Sequence, residues 1–206
     1  MITTDNFFEQ QIILEDDRAR LEPLSEKHFD TLMAIALSNN DIWKFTLANI
    51  VDEKSFTTYF NTALKERENK TSCPFAMFDK KDNRYVGCTR FANISFKDKR
   101  LEIGWTWIDP LLQGSGINKH NKFLMLQFAF ETLNLNRVEL KTAGTNLKSQ
   151  RAMEKIGAVR EGVLRKHSIN DVGVTRDTVY YSFINDDWPF IKETIFKELI
   201  NIPQSH

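Results

Sequence analysis

Residues 107–126, WIDPLLQGSGINKHNKFLML, decide how the rest of the chain is read. They place a strand-like apolar end, a proline, two glycines one residue apart and a helical run side by side. Glycine is favoured where the backbone must turn through a left-handed angle, so Gln113-Gly114-Ser115-Gly116 reads as a tight connection. It reads equally as an anion cradle, because the first amides of a helix have no intrahelical acceptor and the helix dipole favours negative charge in front of them. The flanking sequence has to choose between these readings.

Upstream, residues 73–109 alternate β-branched and aromatic runs with the polar breaks Lys81-Asp82-Asn83 and Lys97-Asp98-Lys99, a pattern of three successive antiparallel strands. Downstream, residues 117–133 hold too many apolar positions for a half-exposed helix, and Phe123, Leu126 and Phe130 are expected in a core against the sheet. A strand at 136–144 and a helix capped near Asn146 and ended by Gly157 follow. A hairpin turning near Asn170 to Gly173 and a final helix over 187–200 complete the chain.

Nearer the start, a short strand pair turns at Asp16-Asp17. One helix enters at Ser25 with Leu32, Ile35, Ala36 and Leu37 on its apolar stripe, and a second runs over 52–66 with Asp52 as its cap. These two helices would form a lid. The expected architecture is a mixed α/β fold of α+β character, mostly antiparallel, in one domain spanning 1–206.

Composition narrows the function. Twenty-eight lysines and arginines balance 28 aspartates and glutamates, so no net field draws the chain to nucleic acid or an anionic membrane. Cys73 and Cys88 are too few and too far apart for a metal cluster or a disulfide framework and are expected as reduced, buried thiols. The opening MITTDNFFEQ lacks a basic segment followed by a long apolar one, and no run of about 18 apolar residues occurs. A soluble, cytoplasmic protein is expected.

Three phosphate loops compete for the glycine stretch. A Walker loop needs Lys-Ser or Lys-Thr after its second glycine, where this chain has Ile117-Asn118. A dinucleotide fingerprint needs three spaced glycines in a parallel strand-helix-strand unit, and here two glycines follow an antiparallel meander. The third is the pyrophosphate loop of acyl-CoA-dependent transferases, Gln/Arg-x-x-Gly-x-Gly/Ala at a strand-to-helix junction.

With LEIGWTWIDP, QGSGIN, NRVELKTAGTNLKSQRAMEKIGAVREGVLRKH and TRDTVYYSFINDDWP in that order, the chain resembles the GNAT superfamily of N-acetyltransferases, in its RimJ/RimL-like branch, over roughly residues 11–188. The resemblance implies a central sheet splayed at the cofactor site and flanked by helices. It implies acetyl-CoA as co-substrate, held at the pyrophosphate by Gln113 and the amides of Gly114, Ser115, Gly116, Ile117 and Asn118. The backbone at Trp107 and Ile108 would take the pantetheine arm. Asn118 departs from the Gly/Ala usual at the last loop position but keeps a backbone donor.

Acetyl transfer to an amine also needs a proton acceptor and a partner for the departing thiolate. The resemblance puts Glu102 at a position that carries the general base in several members; its plain alternative is an ion-paired strand carboxylate. Ser149 falls where the branch places a hydroxyl near the thioester sulfur, with a first-turn serine as the alternative, and Met153 stands where many members have a tyrosine. Asn146 either caps its helix or faces the cofactor arm. Trp43 and Phe45 would lie over the acceptor, with His167 reaching its cleft. His120 is expected as an exposed helix residue, and no metal is expected. The function expected is direct acetyl transfer to a primary amine, a protein N-terminus or a small molecule. A CoA-binding sensor of the same fold is the rival reading, and a homodimer is left open.

Overall fold

A computed structural model describes residues 3–200. The first two and last six residues of the expected 1–206 domain lie outside the described residues. Eight strands form one sheet in the order β1-β2-β3-β4-β5-β6-β8-β7. The N-terminal pair, β1 (Leu14–Glu15) and β2 (Ala19–Pro23), turns as expected at Asp16-Asp17, where Asp16 Oδ1 accepts from the amides of Arg18 and Ala19. The meander follows as β3 (Cys73–Asp79), β4 (Arg84–Ser95) and β5 (Arg100–Ile108), each antiparallel to its neighbour.

Between β2 and β3 lie α1 (Phe29–Ser38) and α2 (Glu53–Glu68). Asp52 caps α2 through the amide of Ser55. The helix expected at Ser25 opens with a separate 3₁₀ turn over Glu26–His28. The stripe Phe56, Phe60 and Ala63 packs α2 with α1 over one face of the sheet, against Ala76, Cys88 and Trp107.

The helix after the glycine loop, α3 (Ile117–Gln127), widens into a π turn over Phe128–Thr132, so the single helix expected to residue 133 ends in a different winding. It fills the opposite face, with Phe123, Leu126 and Phe130 in the larger core as expected. The chain then runs through β6 (Arg137–Ala143), α4 (Leu147–Lys155), β7 (Val159–Ile169) and β8 (Thr175–Ile184). The final helix is two pieces, α5 (Trp188–Ile195) and α6 (Lys197–Ile200), interrupted where Phe196 turns wholly into the core. Cys73 and Cys88 are buried free thiols, and burial pushes them up to about 11 and about 12.

One junction in the sheet is short. β5 and β6 run parallel and pair only at Arg100–Arg137, Leu101–Val138 and Glu102–Glu139. Past Glu102, β5 continues beside β4 while β6 continues beside β8. A bulge sharpens the parting: Trp105 takes a φ of 49°, and Trp105 and Thr106 together face Thr89. Strands that part leave backbone donors and acceptors free on both inner edges. The GNAT fold expected from the sequence is the fold observed, with eight strands and one parallel junction.

Candidate active site

The glycine loop closes the strand-to-helix connection at the mouth of this opening. Asp109 caps a 3₁₀ turn over Pro110–Leu112 through the amide of Leu111. Gly114 and Gly116 then take φ angles of 84° and 93°, which only glycine adopts without strain. Nothing lies within 4 Å of a Cβ built at either position, so both face open space. Among the described residues, the amides of Gly114, Gly116 and Asn118 have no backbone acceptor, whereas Ser115 donates to the Leu112 carbonyl at 3.1 Å and Ile117 leans on Ser115 Oγ at 3.4 Å. Of the five expected amides, that of Ser115 is therefore spent inside the loop. The Gln113 side chain accepts from Lys148 at the start of α4, tying loop to helix.

Glu102 sits at the last paired rung before the strands part. It is 5% exposed, and its Oε2 accepts from Lys141 Nζ and Asn93 Nδ2, both at 2.6 Å. Oε1 takes part in neither bond and lies over Gly104, where a Cβ would approach it to 2.9 Å. The ion-paired reading and an open second oxygen thus coexist in one carboxylate. Burial works against the Lys141 ammonium, but the bond and charge of Glu102 outweigh it and its pKa is raised. Lys141 also lies 4.8 Å from the centre of the Tyr180 ring, and Tyr180 Oη is 3.5 Å from His167 Nε2.

On the far bank, Asn146 caps α4 by accepting from the Ser149 amide at 3.2 Å, so its capping role is realised. Ser149 is half-buried, and its hydroxyl has no partner among the described residues. Met153 packs against the larger core.

The lid residues separate. Trp43 is 6% exposed and donates its indole N–H to the Ala36 carbonyl, 5.4 Å from Trp107 ring to ring. It is a packing residue of the second core, and Trp107 joins it there with its own N–H on Tyr59 Oη. Phe45 is half-buried and lines a cleft between the lid loop and the β7–β8 hairpin. His167 is exposed on β7 beside Tyr180, outside that cleft's wall.

His120 corrects the expectation of an exposed helix residue. It is folded in against Asp16, Nδ1 to Oδ2 at 2.7 Å, pinning α3 to the β1–β2 turn. Asp16 loses to burial, but the His120 bond and the turn amides outweigh that and lower its pKa. With Asp17, the pair brings three ligand-type atoms within 4.8 Å of one another. Sequence spacing hid this group because its members are about a hundred positions apart.

Three more residues escaped the sequence. Lys141 and Asn93 reach Glu102 from neighbouring strands, and only the strand order and register bring them there. Lys122, inside α3, is buried with its Nζ donating to Thr106 Oγ1 at 2.9 Å and, among the described residues, no carboxylate paired with it; burial pushes it down to about 7. Its position on the sheet-facing side of α3 follows from helical spacing, and a lysine there was the available signal.

The acetyltransferase (GNAT) domain model matches residues 18–159. The chain belongs to the GNAT acetyltransferases. This N-acetyltransferase superposes on a GCN5-related N-acetyltransferase from Brucella melitensis with a TM-score of 0.84 and 27% identity, covering 92% of this chain and 86% of that one. It is 34% identical over 107 residues to YdaF of Bacillus subtilis (strain 168), whose name assigns it provisionally as a ribosomal N-acetyltransferase; that match spans 52% of this chain and 57% of YdaF. RimL, the ribosomal L7/L12 alpha-N-protein acetyltransferase, shares the fold at 20% identity and a TM-score of 0.72, over 85% and 95% of the two chains. These relatives agree with the RimJ/RimL-like branch that the motifs resemble. Among the described residues, no helix is long and apolar enough to cross a membrane.

Proposed function

We propose that this GNAT enzyme is a cytoplasmic, single-domain transferase that moves an acetyl group from acetyl-CoA directly to a primary amine. The observation that carries the reading is the loop itself: two left-handed glycines open to solvent, with unpaired amides at the start of an 11-residue helix, beside strands that have parted. Unpaired amides aligned with a helix dipole suit a pyrophosphate. The free inner edge of β5 at Trp107 and Ile108 suits an amide-bearing arm such as pantetheine.

When bound, acetyl-CoA would supply an acetyl group activated as a thioester. The residues around it divide the remaining work. Gly114, Gly116 and Asn118 hold the phosphates through their amides. Glu102, through Oε1, accepts the proton of the incoming amine, directly or by way of water, while Lys141 and Asn93 fix the carboxylate from behind. The unengaged Ser149 hydroxyl donates toward the thiol side.

Thiol release from acetyl-CoA against a panel of primary amines, run beside calorimetric acetyl-CoA binding, tests the reading. Amine-dependent release is expected. Tight acetyl-CoA binding with no release for any amine would replace the transferase by a sensor.

A further inference from the structure

The cleft between the lid loop and the β7–β8 hairpin has a volume of 610 Å³ and its own charge pattern. Lys44 enters it from the lid, Arg160 from the start of β7 and Arg176 from β8; Asp177 is the acid on its wall. In a chain whose formal charges cancel, three cations against one carboxylate is a local excess. Asp177, whose Oδ1 accepts from the Lys166 amide, offsets one of the three and leaves the wall net cationic. Among the described residues, none of the three cations makes an ion pair; Lys44 and Arg160 are exposed, but Arg176 is half-buried, where Arg18, Arg90, Arg137 and Lys141 all have a carboxylate partner.

Arg176 is the most telling of the three. One arm of its guanidinium donates to the Phe45 carbonyl at 2.5 Å, which anchors it under the lid, while its Nε is buried without a partner. An unpaired buried N–H on a cation is costly, and a planar fork held in place is suited to an anionic oxygen pair. Burial alone lowers its pKa, in keeping with a cation that has desolvation and no counter-charge. The cleft is lined by Ala143 at the end of β6, by Gly144 and Thr145, and by Gln150 of α4, the residue after Ser149.

We propose that this cleft binds an acceptor whose primary amine is accompanied by a carboxylate, with Arg176, Arg160 and Lys44 as the carboxylate site. The inference rests on the transferase reading and adds the substrate class to it. Carboxylate recognition by the arginine fork orients the acceptor so that its amine points toward Glu102 and Ser149. Acceptors bearing a second cation, such as polyamines, are disfavoured by the same charges.

Two arms distinguish the sources of the carboxylate. The first compares amidated tetrapeptides that begin Ser-Asp, Ser-Asn or Ser-Lys; the second compares free amino acids with their amides. Affinity is measured calorimetrically in the presence of CoA, and kcat/KM by thiol release. A carboxylate in at least one arm is expected to improve both quantities by about ten- to a hundredfold, the scale of a charge-assisted hydrogen bond. That preference is expected to vanish in Arg176→Gln and to weaken in the more exposed Arg160→Gln, with acetyl-CoA affinity unchanged. Equal affinity for charged and neutral acceptors in both arms, or a preference for Ser-Lys, would overturn the proposal. So would a loss of acetyl-CoA affinity in both variants with acceptor preference intact, which would give the cations to the donor. If no amine is acetylated, the transferase reading fails, and the affinity comparison still decides this one.

Discussion

Lys141 Nζ and Asn93 Nδ2 meet on the same oxygen of Glu102, each at 2.6 Å, leaving the other oxygen over Gly104. The arrangement holds a buried carboxylate in one rotamer while keeping one lone-pair-bearing edge toward the opening between β5 and β6.

Glu102→Gln keeps the shape and removes the proton acceptor. We expect kcat/KM to fall by about 10²- to 10⁴-fold, with partial recovery as pH rises and free amine becomes abundant. The same substitution leaves Lys141 without its counter-charge, so melting temperature is measured alongside; removing one partner of a buried pair costs about 3–5 kcal/mol. Full activity from pH 6 to 9 would remove Glu102 from the chemistry.

Gly116→Glu puts a side chain and a negative charge in front of the α3 amides. Acetyl-CoA affinity should drop by about a hundredfold or more, equivalent to at least 2.8 kcal/mol. Gly116→Ala carries the backbone strain without the charge, about 1–2 kcal/mol for a left-handed position, and should bind better than the glutamate variant. Calorimetry on both variants separates strain from charge, and equal affinities would mean that the loop holds no anion.

Ser149→Ala removes a hydroxyl that has no partner among the described residues. A kcat about tenfold lower with unchanged acetyl-CoA affinity is expected, the mark of an interaction made in the transition state. Wild-type turnover would leave Ser149 as a first-turn helix residue.

Lys122 gives a pH-dependent stability. An unfolded lysine titrates near 10.4 and the folded one near 7, so between those values the unfolded chain binds more protons and this residue makes stability rise with pH. Lys122→Met removes the penalty of burying the ammonium. Its melting temperature should exceed the wild type by about 5 °C at pH 6, and the gain should shrink toward pH 10. A gain that does not vary with pH would mean that burial leaves the lysine's pKa where it is in the unfolded chain.

Much of the fold was legible because each element carries its own periodicity or cap: Asp52 for α2, Asn146 for α4, the Asn170 to Gly173 turn for the β7–β8 hairpin. The loop was legible because left-handed positions demand glycine. What escaped depends on contacts between distant segments. The break at Phe196 comes from a ring seeking the core, which no local pattern announces. His120 looked solvent-facing because its partner, Asp16, is 104 positions away. Trp43 resembled a cleft residue by its place in a polar joint, yet the Ala36 carbonyl and the Trp107 ring draw it inside. Glu102 was found as a strand carboxylate, but the register that sets Lys141 beside it is a property of the assembled sheet.

The three-rung junction between β5 and β6 also governs how the molecule comes apart. Across it, the sheet itself joins the lid-bearing meander to the β6–β8–β7 unit by few backbone bonds, and the rest of the union is side-chain packing around α3, the Glu102–Lys141 pair and the bonds of the lid loop to Asp171 and Arg176 of the hairpin. A donor lying along both inner edges would supply the missing rungs and act as a temporary ninth strand. Saturating acetyl-CoA would then raise the melting temperature, by about 2.7 kcal/mol of added stability at a hundred times its dissociation constant. It would also slow amide exchange in β6 together with β5, merging two units of local opening into one.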